Sequence, residues 1–392
     1  MQVIYDVAVV GGGLVGSLSA ILLGQLGYSV VLIEKDQPVR TFGEFGLDLR
    51  SIAVSPASKI LLESAGVWGS LNPTPYKEMC VWEELGASKL TFSSEILEDQ
   101  ELGFICENSE ILEAMWGQLG SIDNVECLTG NVLENLQVNP DHATLSLGGR
   151  EVSAKLVLGA DGTHSKVRSA VLAETKTLVT RHHVLATVVQ FSGSHAGVAW
   201  QKFLLDGPIA VLPSSNSHVA FIVWSQMEKQ AERLKKMDRD AFCQEVTAVL
   251  EARFGVANRC DHRVVFPVTQ HLVKNFYPSP RVVLLGDAAR VIHPLAGLGA
   301  NIGFEDVAAM IDILVVKRPV SDIGKLHDWK AFSKNRIRKS KLMIQAMSRL
   351  DDLYANTSPL FTLIRNTSIN ALDRNKFIKK RLILEAQGLG FL

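Results

Sequence analysis

Apolar residues crowd positions 4–10, stop at a glycine-rich break, and resume at helical spacing over positions 14–26. Gly27 then stops the helix, and positions 29–33 form a second apolar run that closes on Glu34. Strand, helix and strand within about 30 residues predict a β-α-β unit whose two strands run parallel. A loop and a helix are expected over 50–66, and a further helix from Glu107-Asn108-Ser109, with Ile111, Met115 and Leu119 on one face. Residues 131–147 predict a hairpin of short strands around Asn139-Pro140-Asp141, and 156–159 a short buried strand. From 184 to 268 the period changes. Alternating runs at 186–191 and 219–224, divided by turn residues, predict an antiparallel sheet with a helix over 237–254 laid on it. Residues 281–285 predict a return to a buried strand, 303–316 a long apolar helix, and everything after Lys330 is expected to be helical.

The breaks between these elements carry the candidate chemistry. The first is Gly11-x-Gly13-x-x-Gly16. Its first glycine permits the tight turn, the second lets backbone approach a pyrophosphate, and the third lets helix and strand pack closely. The N–H groups and dipole of the following helix favour phosphate, and Glu34 ends the next strand where ribose hydroxyls would lie. About 270 residues later comes a second turn of this kind, Leu284-Leu285-Gly286-Asp287-Ala288-Ala289. Two such turns at opposite ends point to a long dinucleotide clasped by both, which means FAD and redox chemistry. Asp161-Gly162 precedes Ser165-x-Val167-Arg168 and reads equally as a helix cap or a cofactor contact. His293-Pro294-Leu295-Ala296-Gly297-Leu298-Gly299-Ala300-Asn301 is rich in small residues that would let a helix N-terminus approach a flat ring edge-on. Arg50 reads as an exposed salt-bridging residue or a ligand contact. His182 and His183 are adjacent, so on a strand they face opposite ways, and no metal site is expected. No GxSxG elbow offers a nucleophile.

Composition changes the picture in two places. With 392 residues, 47% hydrophobic and 21% charged, the chain has material for two intertwined lobes. The net charge of -1 gives no hint of nucleic acid, but from Lys330 onward thirteen Lys/Arg face four acids. Lys334, Arg336, Arg338, Lys339 and Lys341, then Lys376, Lys379, Lys380 and Arg381, make a basic surface suited to an anionic membrane or an acidic partner. Five scattered cysteines fit a reducing compartment. No signal peptide is expected, and no run approaches the roughly 20 apolar residues of a membrane span. These features predict a cytoplasmic protein, with room for peripheral membrane contact.

The expected fold is α/β: a Rossmann-like FAD-binding domain over 1–75, 103–182 and 277–330, interrupted by an antiparallel-sheet substrate domain over 76–102 and 183–276. A basic helical tail over 331–392 follows.

Together these motifs resemble the FAD-dependent aromatic hydroxylases typified by p-hydroxybenzoate hydroxylase. Within that group they are most similar to the ubiquinone-biosynthesis hydroxylases of the UbiH/UbiF kind. The resemblance runs nearly end to end. It takes in Gly11–Gly16 with Glu34, positions 158–168, and 284–289 with 293–303. Supporting it are Gly207-Pro208, Trp224 and the tail pattern Leu363-Ile364-Arg365-Asn366, Lys380 and Ala386-x-Gly388. The resemblance implies a monooxygenase in which NAD(P)H reduces the flavin and O₂ adds to form a C4a-hydroperoxide, whose distal oxygen passes to the ring of a lipophilic, polyprenylated phenol. It implies that Arg50 approaches the flavin, Asp287 binds the ribitol or pyrophosphate region, and positions 294–301, with Gly297, Gly299 and Asn301, line the isoalloxazine. His293 is the candidate for proton traffic. Two positions depart from the pattern: Leu298 and Leu112 stand where the family usually has Gln. Each forfeits about one hydrogen bond, roughly 0.5–1.5 kcal/mol. They keep a non-catalytic subunit, as well as a hydroxylase of another aromatic compound, among the alternatives.

Overall fold

The structure, a computed structural model, describes residues 3–86, 88–97, 101–178, 182–292, 299–316, 322–355 and 358–388. Strand β1 (Ile4–Val10), helix α1 (Leu14–Gln25) and strand β2 (Val30–Glu34) form the expected parallel unit, with Val7 opposite Val30 and Val10 opposite Ile33. Helix α1 is buried from Gly16 to Gly24, which is why it is apolar all round. Strand β3 (Ser51–Val54), helix α2 (Pro56–Ser64) and strand β4 (Thr74–Tyr76) follow. The strand β3 replaces part of the loop expected there, its four residues being too few for alternation to register. Ser55 caps α2 by accepting from the Ser58 N–H at 3.2 Å, and Pro56 sits where a helix tolerates it.

The chain then crosses to a second body with β5 (Glu78–Glu83) and β6 (Lys89–Ser93). It returns through β7 (Gly103–Glu107), α3 (Asn108–Leu119), β8 (Val125–Thr129), the hairpin β9 (Asn135–Val138) and β10 (Ala143–Leu147), β11 (Arg150–Gly159), α4 (Lys166–Ala170) and β12 (Thr175–Leu178). Strand β11 runs ten residues instead of the four expected. Its first half pairs antiparallel with β10, while Ser153 to Gly159 also pair parallel with β1.

The second excursion comprises β13 (His182–Phe191), β14 (Val198–Phe203), β15 (Ile209–Pro213), β16 (Val219–Met227), α5 (Glu228–Lys236), α6 (Arg239–Val249), β17 (Ala257–Cys260) and β18 (Val264–Pro267). Only one helix was expected here. The earlier one, α5, buries just Ala231 and Leu234, a stripe too thin to register among its charges. Strands β19 (Gln270–Val273), β20 (Val282–Leu284) and β21 (Arg290–Val291) lead back to helix α7 (Gly299–Val316), and α8 (Asp328–Ala355), α9 (Pro359–Arg374) and α10 (Lys376–Ala386) close the chain.

Among the described residues, one sheet orders its strands β8-β2-β1-β11-β10-β9, with β20 also on β11; the other orders them β17-β13-β16-β15-β14-β5-β6, with β18 also on β13. The second sheet is not purely antiparallel, because β5 arrives from the other body and pairs parallel with β14. It has two apolar faces. Leu185, Val189, Val211, Ile222 and Trp224 pack under α5 and α6 with Leu234, Phe242 and Val246. The alternate positions Val188, Ala199, Ala210, Leu212 and Phe221 face the nucleotide lobe beside Leu49 and Ile105. The site lies against that inner face.

One contact ties the lobes together around it, and two more fix the tail. The buried Asp261 carboxylate, beside β17, accepts from the Glu44 N–H at 2.6 Å, and a Cβ on Gly43 would fall 2.0 Å from it. The buried Arg365 of α9 pairs with the buried Glu83 of β5, while Asp373 accepts from the Thr91 N–H of β6 at 2.9 Å. The tail is therefore docked on the second sheet.

Candidate active site

The first glycine turn is built as its spacing demands. Gly11 has φ +102°, and a Cβ there would sit 2.4 Å from the Ala160 carbonyl oxygen; on Gly16 it would meet the Gly11 oxygen at 1.8 Å. On Gly13 it would meet nothing within 4 Å, so that position opens onto the groove. Gly12, unmarked in the sequence, is equally constrained. A Cβ there would lie 2.6 Å from Trp116, whose indole N–H donates to the Gly12 carbonyl at 3.0 Å. Helix α1 starts at Gly13 with no capping side chain and no acid in its first turn. Its first N–H groups are left for a ligand.

A groove of about 410 Å³ runs from this turn past Glu34, Asn131, Ala160, Asp161 and Gly162. The Glu34 carboxylate accepts from the Gly12 N–H and, at 2.8 Å, from the Lys35 N–H. Asp161 accepts from the Lys166 and Val167 N–H groups at 2.6 and 3.1 Å, so its carboxylate caps α4. Gly162, at φ +76° with open space beyond it, presents backbone to the groove. Orphan helix donors, a glycine opening and an acid at the strand end together fit the ADP part of FAD.

The second turn meets the first at one side chain. Cβ atoms on Gly286 and Gly303 would approach Val15 Cγ2 to 3.0 and 2.6 Å, so α1, the Gly286 turn and α7 converge there. The turn is pinned from below by the fully buried Asp306, which accepts from the Gly286 N–H at 3.0 Å and pairs with Arg290 at 2.7 Å and with Arg336. Arg336 is thus no part of an exposed basic face. Lys379, 7% exposed and paired with Asp373 at 3.0 Å, is likewise removed from it. From the side, Arg168 donates to the carbonyls of Ala288 at 2.9 Å and Thr163 at 2.7 Å, tying the Asp161 turn to the Asp287 turn. His271 contacts Arg168 at 3.2 Å, and burial, reinforced by that cation, pushes its pKa down to about 4. Asp287 is exposed although protein lies close around it, and this desolvation raises its carboxyl pKa, against the pull of Arg290.

Two cavities of about 220 Å³ each lie between the inner sheet face and the nucleotide lobe, sharing Gln201, Ala210 and Leu212. One reaches Arg50, Ser51, Ile52 and Asn108. The Arg50 guanidinium is exposed and has no partner among the described residues, while its backbone is fixed by bonds to Asp48 and Asn108. The other cavity runs from Ala53 and Ser55 past Tyr76, Met79 and Phe92 to α10, which contributes Leu382, Ile383, Ala386 and Gln387. Asn301 lines it too, but its amide is engaged: Oδ1 accepts from the Ser55 N–H at 3.0 Å and Nδ2 donates to the Ala53 carbonyl at 2.7 Å. Gly299 opens α7 with free space beside it. His293, Pro294, Gly297 and Leu298 lie outside the described residues.

The FAD binding domain family matches residues 4–317. Over 390 residues the chain is 30% identical to the 3-demethoxyubiquinol 3-hydroxylase of Escherichia coli K12, covering 98% of both chains. The chain belongs to the FAD-dependent hydroxylases of ubiquinone biosynthesis. A second relative is the ubiquinone hydroxylase UbiL of Rhodospirillum rubrum, 30% identical over 98% of this chain and 89% of that one. Among solved structures, p-nitrophenol 4-monooxygenase from Pseudomonas putida shares the fold over 100% of each chain, with a TM-score of 0.79 at 18% identity. This hydroxylase is therefore an FAD-dependent monooxygenase acting with O₂ on a quinone precursor, with NAD(P)H as the family's usual reductant. Among its described residues no helix is long and apolar enough to cross a membrane. Sequence reading missed Gly12, Trp116 and Asp306. The first two lack a motif, and an acid inside an apolar helix four residues after Ile302 was the available signal for the third.

Proposed function

We propose that this hydroxylase adds one oxygen atom to the aromatic ring of a polyprenylated phenol. The observation that carries the proposal is the second cavity, an apolar chamber between the lobes with walls of Tyr76, Met79, Phe92, Leu102, Leu212 and Leu382. Such a lining takes a ring and the start of an isoprenoid tail, and keeps water from the reacting atoms. When bound, FAD supplies the two-electron transfer from NAD(P)H and the activation of O₂.

In this reading the nucleotide lobe, over 1–75, 103–182 and 277–330, holds the cofactor, and the sheet lobe holds the substrate. Gly11, Gly13 and Gly16 admit the pyrophosphate to the start of α1, and Glu34 turns its carboxylate to the ribose. Gly162, with the edge of Asp161, flanks the adenosine half, and Gly286 and Asp287 hold the ribitol. Arg50, anchored by its backbone and unpaired at its guanidinium, reaches the flavin. Gly299 and Asn301 stand on the flavin-ring side, and Pro294 and Gly297, outside the described residues, keep the ring-lining role that the family resemblance implies. His293 takes the proton from the ring hydroxyl.

The tail meets an anionic membrane surface. Helix α10 exposes Phe377 at 77%, Ile378 at 44% and Leu382 at 43%, among Lys376, Lys380 and Arg381. Leu382 also lines the chamber, so a lipid-tailed substrate has a short apolar route inward.

The test is turnover of purified holoprotein with NADPH, O₂ and a geranyl-tailed phenol. A product one oxygen heavier is expected. NADPH consumed with hydrogen peroxide as the only product would remove the substrate assignment, and protein that takes up no FAD would remove the whole reading.

A further inference from the structure

Among the described residues, four buried polar side-chain atoms of the apolar chamber have no partner: the Trp200 indole nitrogen and three amide atoms. Gln387, 2% exposed, has neither Oε1 nor Nε2 hydrogen-bonded, and Gln201, 5% exposed, has an unpaired Oε1. Both residues line the same cavity, and they come from different elements. Gln201 projects from β14, while Gln387 follows directly on α10. The Gln387 backbone is fixed: its carbonyl accepts from the Ala57 N–H at 3.3 Å, and Gly388 turns the chain at φ +75°. The other amide in the wall, Asn301, has both its atoms engaged.

A buried polar atom without a partner is destabilising, and the wall would be more stable with Leu or Met at either place. Such groups persist where a ligand or an ordered water completes them, and here both lie in the wall of an apolar chamber. Their pattern describes that ligand. The Gln387 amide offers a donor and an acceptor side by side, matching a ring hydroxyl next to a second ring oxygen. Gln201 Oε1 accepts only, so it needs a donor, which on a phenol is the ring hydroxyl.

We propose that Gln387 and Gln201 form a polar clamp that selects and orients the oxygen substituents of the substrate ring. Gln387 binds an adjacent hydroxyl and ether oxygen pair, and Gln201 binds a hydroxyl from the sheet side. This rests on the chamber being the substrate site. Gln201 also lines the cavity that reaches Arg50, so a ring held by it sits at the junction of the two spaces. Both glutamines are positioning residues, and they act on which ring enters and how it is turned.

The experiment measures equilibrium binding to FAD-loaded protein of two probes, a geranyl-tailed methoxyphenol and geranylbenzene, which lacks both ring oxygens. The wild-type protein should prefer the methoxyphenol by about tenfold or more. Gln387→Met and Gln201→Met, each close in length to Gln, should lower that preference several-fold while affinity for geranylbenzene holds or rises. Retained preference in both variants, or no preference in the wild type, overturns the clamp. So does equal loss of affinity for both probes, the result expected if the glutamines only hold the fold or keep a water. A wild type that discriminates the probes but makes no oxygenated product supports the clamp and removes the polyprenylated-phenol substrate assignment instead.

Discussion

Asp306 is the residue on which most of the site depends. Its one carboxylate holds the Gly286 N–H and two buried guanidinium groups. Asp306→Ala leaves the buried Arg290 without a carboxylate and Arg336 with Glu305 alone, at 3.3 Å, a loss of about 3–5 kcal/mol. Chemical denaturation should show that loss, together with weaker FAD retention because the Asp287 turn is freed. Gly11→Ala meets a different obstacle, a carbonyl oxygen 2.4 Å away and an unfavourable φ. The expected outcome is folded protein with little flavin absorbance, or none. His271 gives a pH signature. Its folded pKa of about 4 lies below the ordinary 6.5, so between those values the unfolded chain binds a proton that the folded chain refuses. Stability is then full above about pH 6.5 and falls as acid is added towards pH 4, by up to about 3 kcal/mol. In His271→Gln that slope should flatten in denaturation curves taken across the range. At this scale the motif glycines were legible because their spacing at a strand-to-helix break is itself the signal, although the groups that crowd Gly11 and Gly286, Ala160 and Val15, lie far off in sequence. Arg336 was not: its partner Asp306 lies 30 residues away, and burial leaves no local trace.

At the scale of elements, legibility followed the width of the apolar stripe. Helix α1 and strands β1 and β2 are buried nearly throughout and were plain. Strand β3 and helix α5 bury two residues each and were not. The tail was expected as a basic appendage, yet α9 is anchored to β5 through Arg365 and Glu83, both buried. Arg365→Met strands Glu83 and should cost about 3–5 kcal/mol, visible in thermal unfolding. Limited proteolysis should then cut first in α9 and α10 while the nucleotide sheet stays protected.

For the molecule as a whole, the chain passes twice from the nucleotide lobe into the second sheet, and the space between the two is the proposed reaction chamber. That order of lobes was readable from the change of hydrophobic period near residue 184. The parallel pairing of β5 with β14 was not, because register across 120 residues has no local signal. The proposed membrane contact belongs to this scale. Wild-type protein should sediment with vesicles containing anionic lipid and be released by salt. A Phe377→Asp, Lys380→Glu, Arg381→Glu variant should remain in the supernatant, and equal sedimentation of the two would remove the contact.

The joint between Gln387 and Ala57 joins residues some 330 positions apart, and α10 is synthesised after every other wall of the chamber. A nascent chain can thus complete its ADP groove, and take up FAD, while the place for the ring still stands open. Maturation then has two separable stages, coloured first and selective later. A bulky group fused just beyond Gly388 would halt the protein between them, leaving a yellow protein with an unfinished wall.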